Sequence, residues 1–141
     1  MRLSIKIVNA DVVRQGLEDL HDEIPKIGRL QIYRTVQAVI RRMKVYPPPP
    51  AGSRYVRTYR LRNAWKIEPK ENGYAVSADP VSPKGRPYGR YVVGFARGDG
   101  QAWMHKGRWN LLRDVMEDEV KKLPNEIEKN ISMVARAKGL A

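Results

Sequence analysis

The stretch Ser53-Arg54-Tyr55-Val56-Arg57-Thr58-Tyr59-Arg60-Leu61-Arg62-Asn63-Ala64-Trp65 concentrates the chemistry available to this sequence. Four arginines fall in the nine positions from 54 to 62, interleaved with tyrosines. A guanidinium offers a rigid fork of donors that suits a carboxylate or a phosphate. A neighbouring ring offers a stacking face or a large apolar contact. Two functions use this pairing. One is contact with another protein, where Arg, Tyr and Trp carry most of the interface energy. The other is contact with nucleic acid, Arg on phosphate and ring on base. Core packing competes with both. Ten of the eleven aromatic residues lie between Tyr46 and Trp109, and with a single Phe in the chain these rings must also fill the interior.

Catalytic chemistry has little to work with. There is no cysteine, which excludes disulfides, thiolate nucleophiles and Cys-based zinc sites. The two histidines, His21 in an acidic stretch and His105 between aromatic and basic residues, lack metal-ligand spacing. Gly85-Arg86-Pro87-Tyr88-Gly89-Arg90 has no Lys-Ser/Thr pair and places a proline where a phosphate loop needs a donor. There is no Gly-x-Ser-x-Gly elbow. Asp79, Asp99 and His105 could converge, but without a nucleophile or paired carboxylates no catalytic residue, metal or cofactor is expected.

The charge narrows the choice of partner. The 141 residues carry 27 Lys and Arg against 15 Asp and Glu, a net charge of +12. Residues 1–46 contribute +4, residues 47–110 contribute +8, and residues 111–141 are neutral. Such a field draws a polyanion or an acidic protein surface. At 42% hydrophobic and 30% charged the composition is globular, and the length suits one domain. No apolar run reaches the roughly 18 residues of a membrane span. The first eight residues alternate apolar and polar, so a cytoplasmic origin without a signal peptide is expected.

The periodicity implies an α+β fold: a small, mostly antiparallel sheet packed by two N-terminal helices and a long or kinked C-terminal helix. Leu3, Ile5 and Ile7 read as a half-buried strand. Val13, Leu17, Leu20 and Ile24 form one face of a first helix, which Pro25 should end or kink. Ile32, Val36, Ile40 and Met43 form the stripe of a second, with Arg34 and Arg41 on its outer side. Four prolines, Pro47, Pro48, Pro49 and Pro50, then forbid helix and favour a stiff, exposed arm over residues 46–57. Thr58 can cap a short turn that places Leu61 and Trp65 on one side as core anchors. Residues 65–78 read as a hairpin around Asn72-Gly73, and Tyr88–Phe95 as a third short strand. Trp109, Leu112, Met116, Val120 and Leu123 begin a C-terminal helical stripe that Pro124 interrupts and Ile127, Ile131 and Val134 resume.

Two groups of short motifs resemble the tail-completion, or head–tail joining, proteins of long-tailed bacteriophages and prophages. The first is Tyr46-Pro47-Pro48, then Ser53-x-Tyr55-x-Arg57-Thr58-x-x-Leu61 and Trp65. The second is Tyr88-x-x-Tyr91-x-x-x-Gly94, then Gln101-x-x-x-His105-x-x-x-Trp109 opening a C-terminal helix. Together they span residues 46–109. Tyr59 departs from the pattern, standing where a glycine commonly follows the Thr, and the proline run is longer than usual. The resemblance implies a small α+β unit without catalytic residues. It implies a sixfold ring in the virion, assembled in the host cytoplasm, that joins the neck to the tail. Its partners would be other copies of itself, neck or connector proteins, a tail-tube or tail-terminator protein and, in passing, the packaged DNA. Contact residues expected on the arm and the arginine stretch are Pro47–Pro50, Arg54, Tyr55, Arg57, Arg60 and Arg62, with Arg34, Arg41, Arg86 and Arg90 as a second set. The competing expectation is a small basic nucleic-acid-binding protein.

Overall fold

The computed structural model describes residues 10–54, 59–94 and 100–140. The expected strand at residues 3–7, the Thr58 cap, Asp99 and the contact residues Tyr55 and Arg57 lie outside them. The fold is α+β, and the residue contacts gather into two compact units: Met1–Gln31 with Pro124–Ala141, and Ile32–Leu123.

Two helices make up the described part of the first unit. Helix α1, Ala10–Met43, begins here and runs on into the second unit. Two N-terminal helices were expected to part at Pro25, and that is corrected: Pro25 lies inside one 34-residue helix. Proline removes one helical hydrogen bond and crowds the carbonyl four residues back, a loss of about 3 kcal/mol. Here long runs on both sides keep the helical period despite Gly16 and Gly28, so the remaining ladder continues through it. In this unit Leu140 covers Gly16, where a Cβ would lie 3.2 Å from Leu140 Cδ2, and Lys138 Nζ reaches Asp19 Oδ2 at 3.4 Å. The period-four stripe of α1 is nevertheless largely open, with Val13, Leu17 and Ile24 exposed and Leu20 half-buried. Helix α5, Leu123–Ala137, buries no residue fully. Pro124 stands in its first turn, where a missing N–H is tolerated.

The second unit has its own core. Val39, Ile40 and Met43 from the last turns of α1 meet Leu61, Trp65, Val93 and Val115. Met43 is 1% exposed. Leu61 lies on a short helix α2, Arg60–Ala64, and Trp65 opens strand β1, Trp65–Lys70, so both anchors stand where the sequence put them. Strand β2, Gly73–Ala78, pairs antiparallel with β1, Trp65 opposite Ala78 and Lys70 opposite Gly73. The turn is Glu71-Asn72, with Gly73 already in the strand. The sheet stops at these two strands among the described residues.

The expected third strand at 88–95 is corrected to helix α3, Gly89–Val93. Its two-residue alternation is too short to override its surroundings. The Pro87-Tyr88-Gly89 entry is held by Tyr88 N–H donating to Pro80 O, and Gly89 packs where a Cβ would lie 2.9 Å from Pro80 Cδ and 3.1 Å from Ala78 O. Gly94 ends the helix at φ 62°, and a Cβ there would press on Leu111 and Gln101 at 3.0 and 3.2 Å. The C-terminal stripe divides at Lys121-Lys122 into α4, Leu112–Val120, and α5. Glu119 of α4 is nearly buried and accepts from Arg42 Nη1 and Lys122 Nζ, each at 2.9 Å, while Arg42 Nη2 donates to Asp118 at 3.1 Å.

Candidate functional site

The two motif groups meet within the second unit. Tyr46, at the exit of α1, is the hub. Its ring meets Trp109 edge-on at 4.7 Å and stacks on Tyr59 at 5.4 Å, and its hydroxyl accepts from the Arg62 backbone N–H at 2.9 Å. His105 stands edge-on to Trp109 at 6.1 Å on a single turn of 3-10 helix, Trp103–His105. These groups frame a cleft of about 450 Å³ whose lining includes Pro50, Ser53, Leu61, Tyr88, Val92, Met104 and Arg108. Gln101 Nε2 donates to Val92 O at 2.7 Å, and Ala102 N–H to Tyr91 O at 2.8 Å, which locks the 3-10 turn against α3.

Sequence reading expected the proline run to be a stiff arm extending outward. Pro48, Pro49 and Pro50 are exposed, but the run is also tied down: Arg108 Nη2 donates to Pro48 O at 2.7 Å and Ser53 N–H to Pro50 O at 3.0 Å. Its last residue, Pro50, lines the cleft. Tyr59 adopts φ 54°, the one left-handed non-glycine residue among those described. An L-residue loses roughly 1–2 kcal/mol there, and the Tyr46 ring stack helps to hold it.

The arginines have different surroundings. Arg54, Arg60 and Arg62 are exposed and adjoin the lining residues Ser53, Tyr59 and Leu61 in sequence. Arg60 Nη1 also donates to Val81 O at 3.4 Å. Arg90 lies 5.0 Å from the centre of the Tyr91 ring, and Arg34, Arg41 and Arg86 are exposed elsewhere, none of them lining the cleft. No protein-family model, curated protein or solved structure matches this chain.

Arg108 and Arg42 were missed by the sequence reading. Arg108 shapes the cleft and Arg42 ties α1 to α4. The only local signal for Arg108 was its place beside Trp109. Electrostatically the cleft is one-sided, since no acidic residue lines it. Burial, then the neighbouring Arg108 charge, push His105 below its ordinary value of 6.5 and favour the neutral imidazole. Asp79 does not line the cleft, so the Asp79–His105 convergence considered from sequence does not form there. Among the described residues no cluster of His, Asp and Glu could hold a metal ion, and no helix is long and apolar enough to cross a membrane. The arrangement can accept an apolar group beside the Arg108 guanidinium.

Proposed function

We propose that this chain is a structural virion protein, a tail-completion or head–tail joining subunit that acts as a ring at the junction of head and tail. One observation supports this reading above the others. Tyr46, Ser53, Leu61, Tyr88, His105 and Trp109, drawn from both motif groups, line a single cleft, with Gln101 and Gly94 buttressing it. Tyr59 supports it too, because a glycine would suit the left-handed backbone at that position. A basic subunit is steered by charge complementarity onto acidic neighbours, such as a connector below the head or a tail-terminator above the tube.

The test is joining of separately prepared heads and tails in extracts supplied with the purified chain. Wild-type chain should give infectious particles. Arg60→Glu with Arg62→Glu, folded by circular dichroism, should give few or none. Full infectivity from that variant would overturn the proposal. A nucleic-acid-binding role is favoured by the net charge of +11 on residues 32–123 and by Trp103, which is 81% exposed.

A further inference from the structure

The cleft of about 450 Å³ has the size and the lining of a ligand site, a mainly apolar hollow with a few polar groups set into it. Leu61 is buried, Val92 is half-buried and Met104 is exposed, and together they supply the aliphatic part of the lining. The Tyr46 and Trp109 rings hold each other edge-on, while the Met104 thioether can adapt to what enters. Charge enters at one point. Arg108 is the charged side chain of the lining, no Asp or Glu lines the cleft, and His105 favours its neutral form. A guanidinium has five N–H donors. Arg108 commits Nη2 to Pro48 O at 2.7 Å and makes no other hydrogen bond or ion pair among the described residues. It also borders a neighbouring hollow lined by Asp114 and Asp118, but Asp118 pairs with Arg42 at 3.1 Å and neither acid pairs with Arg108. The cleft therefore presents an apolar surface, one positive charge and donors left over on it.

We propose that the cleft binds a small monocarboxylate, its apolar body against Leu61, Val92 and Met104 and its carboxylate on Arg108. One cation matches one anionic charge, and a carboxylate fits the planar fork of a guanidinium. A phosphate monoester brings close to two charges and meets a single cation here. An extended peptide fits less well, because no lining residue belongs to β1 or β2 and no strand edge is offered for pairing. A nucleic acid strand carries a phosphate at every base, and the rings it would stack on already pack on one another. Binding of this kind goes beyond the virion role and does not depend on it.

The experiment is a titration of the purified full chain with phenylbutyrate and with its uncharged amide, phenylbutyramide, followed by the backbone and indole N–H signals in two-dimensional NMR. The acid should bind saturably with a Kd on the order of 1 mM, ordinary for so small a ligand, and should shift Trp109 and the other cleft residues. The amide should bind at least about fivefold more weakly. Arg108→Gln should bring the acid down to the level of the amide and leave the amide unchanged. Met104→Glu, which sets a carboxylate into the lining at an exposed position, should weaken the acid about tenfold and the amide less. The comparison of acid with amide on the wild-type chain needs no variant to fold. Acid and amide that bind equally overturn the proposal, and so does the absence of cleft shifts up to the solubility limit of the acid. An Arg108→Gln loss shared equally by acid and amide would make Arg108 a brace for the proline run, which also overturns it. Cleft shifts from the peptide acetyl-Ala-Ala-Phe with none from the free acid would make the occupant the end of a partner chain and overturn it too. A chain that binds the acid as described but joins no heads to tails keeps this site and loses the virion role, and a chain that joins them without binding the acid does the reverse.

Discussion

The two units solve the problem of apolar surface in opposite ways. Residues 32–123 hold all eleven aromatic residues and +11 of the net charge, nineteen basic against eight acidic. They close a core around Met43, Leu61 and Trp65 and leave a cleft beside it. The remainder of the chain holds no aromatic residue and is nearly neutral, eight basic against seven acidic. Its α1 segment keeps a well-formed apolar stripe and leaves most of it in solvent. Large rings are what allow so short a stretch to bury its own interior, since each removes about 150–250 Å² from water. Without them, an amphipathic helix satisfies its backbone but leaves its apolar face for another surface. The first unit is therefore the part of the chain that gains most from a partner, and the second the part that stands alone.

The largest expected effect tests that independence. Met43→Ala should destabilise residues 32–123 by roughly 2–5 kcal/mol, the range for emptying a close-packed site. All three tryptophans lie in this unit, so tryptophan fluorescence in urea follows it and not the other. A loss below about 1 kcal/mol would mean that the core is loosely packed and that the contrast between the units fails.

A smaller effect concerns the charges that brace the same unit. Glu119 is held below its ordinary value by hydrogen bonds from Lys122 and then from Arg42. Its folded state prefers the carboxylate. The stabilisation is therefore complete above the ordinary value of 4.5 and is lost as pH falls through the lowered folded value. Arg42→Met should cost about 1–3 kcal/mol at neutral pH by leaving Glu119 with Lys122 alone. It should also flatten the fall in stability below pH 4.5, because the carboxyl then has less to lose. An unchanged acid slope in urea titrations at several pH values would assign the acid sensitivity to other carboxylates.

Much of this was legible in the residues, and the illegible parts share a cause. The Ile40 and Met43 stripe, the Leu61 and Trp65 anchors and the 65–78 hairpin rest on local period and all take the expected elements. Helix α3 was read as a strand because Tyr91 and Val93 alternate, whereas the contacts that decide it come from Pro80 and Ala78 some ten residues earlier. Arg42 could not be told from Arg41 without acids 76 and 77 residues away. The cleft is the extreme case. Each motif group is visible in the sequence, but only the fold brings Tyr46 against Trp109 and Pro48 under Arg108.

The smallest expected effect is the sharpest test of the difference between the units. Leu17 belongs to a stripe whose spacing alone would rank it as core, yet it is 54% exposed. Leu17→Ala removes apolar area that is already half in water and replaces a good helix former with the best one. In the monomer it should shift stability by no more than about 0.5 kcal/mol in either direction, as for other surface substitutions. The readout is helical circular dichroism at low protein concentration, because this unit has no tryptophan to report it. A cost of about 2 kcal/mol or more would mean that the face is covered within the single chain. An effect that is negligible in dilute protein and grows as the protein is concentrated is the result expected of a face whose cover is another molecule.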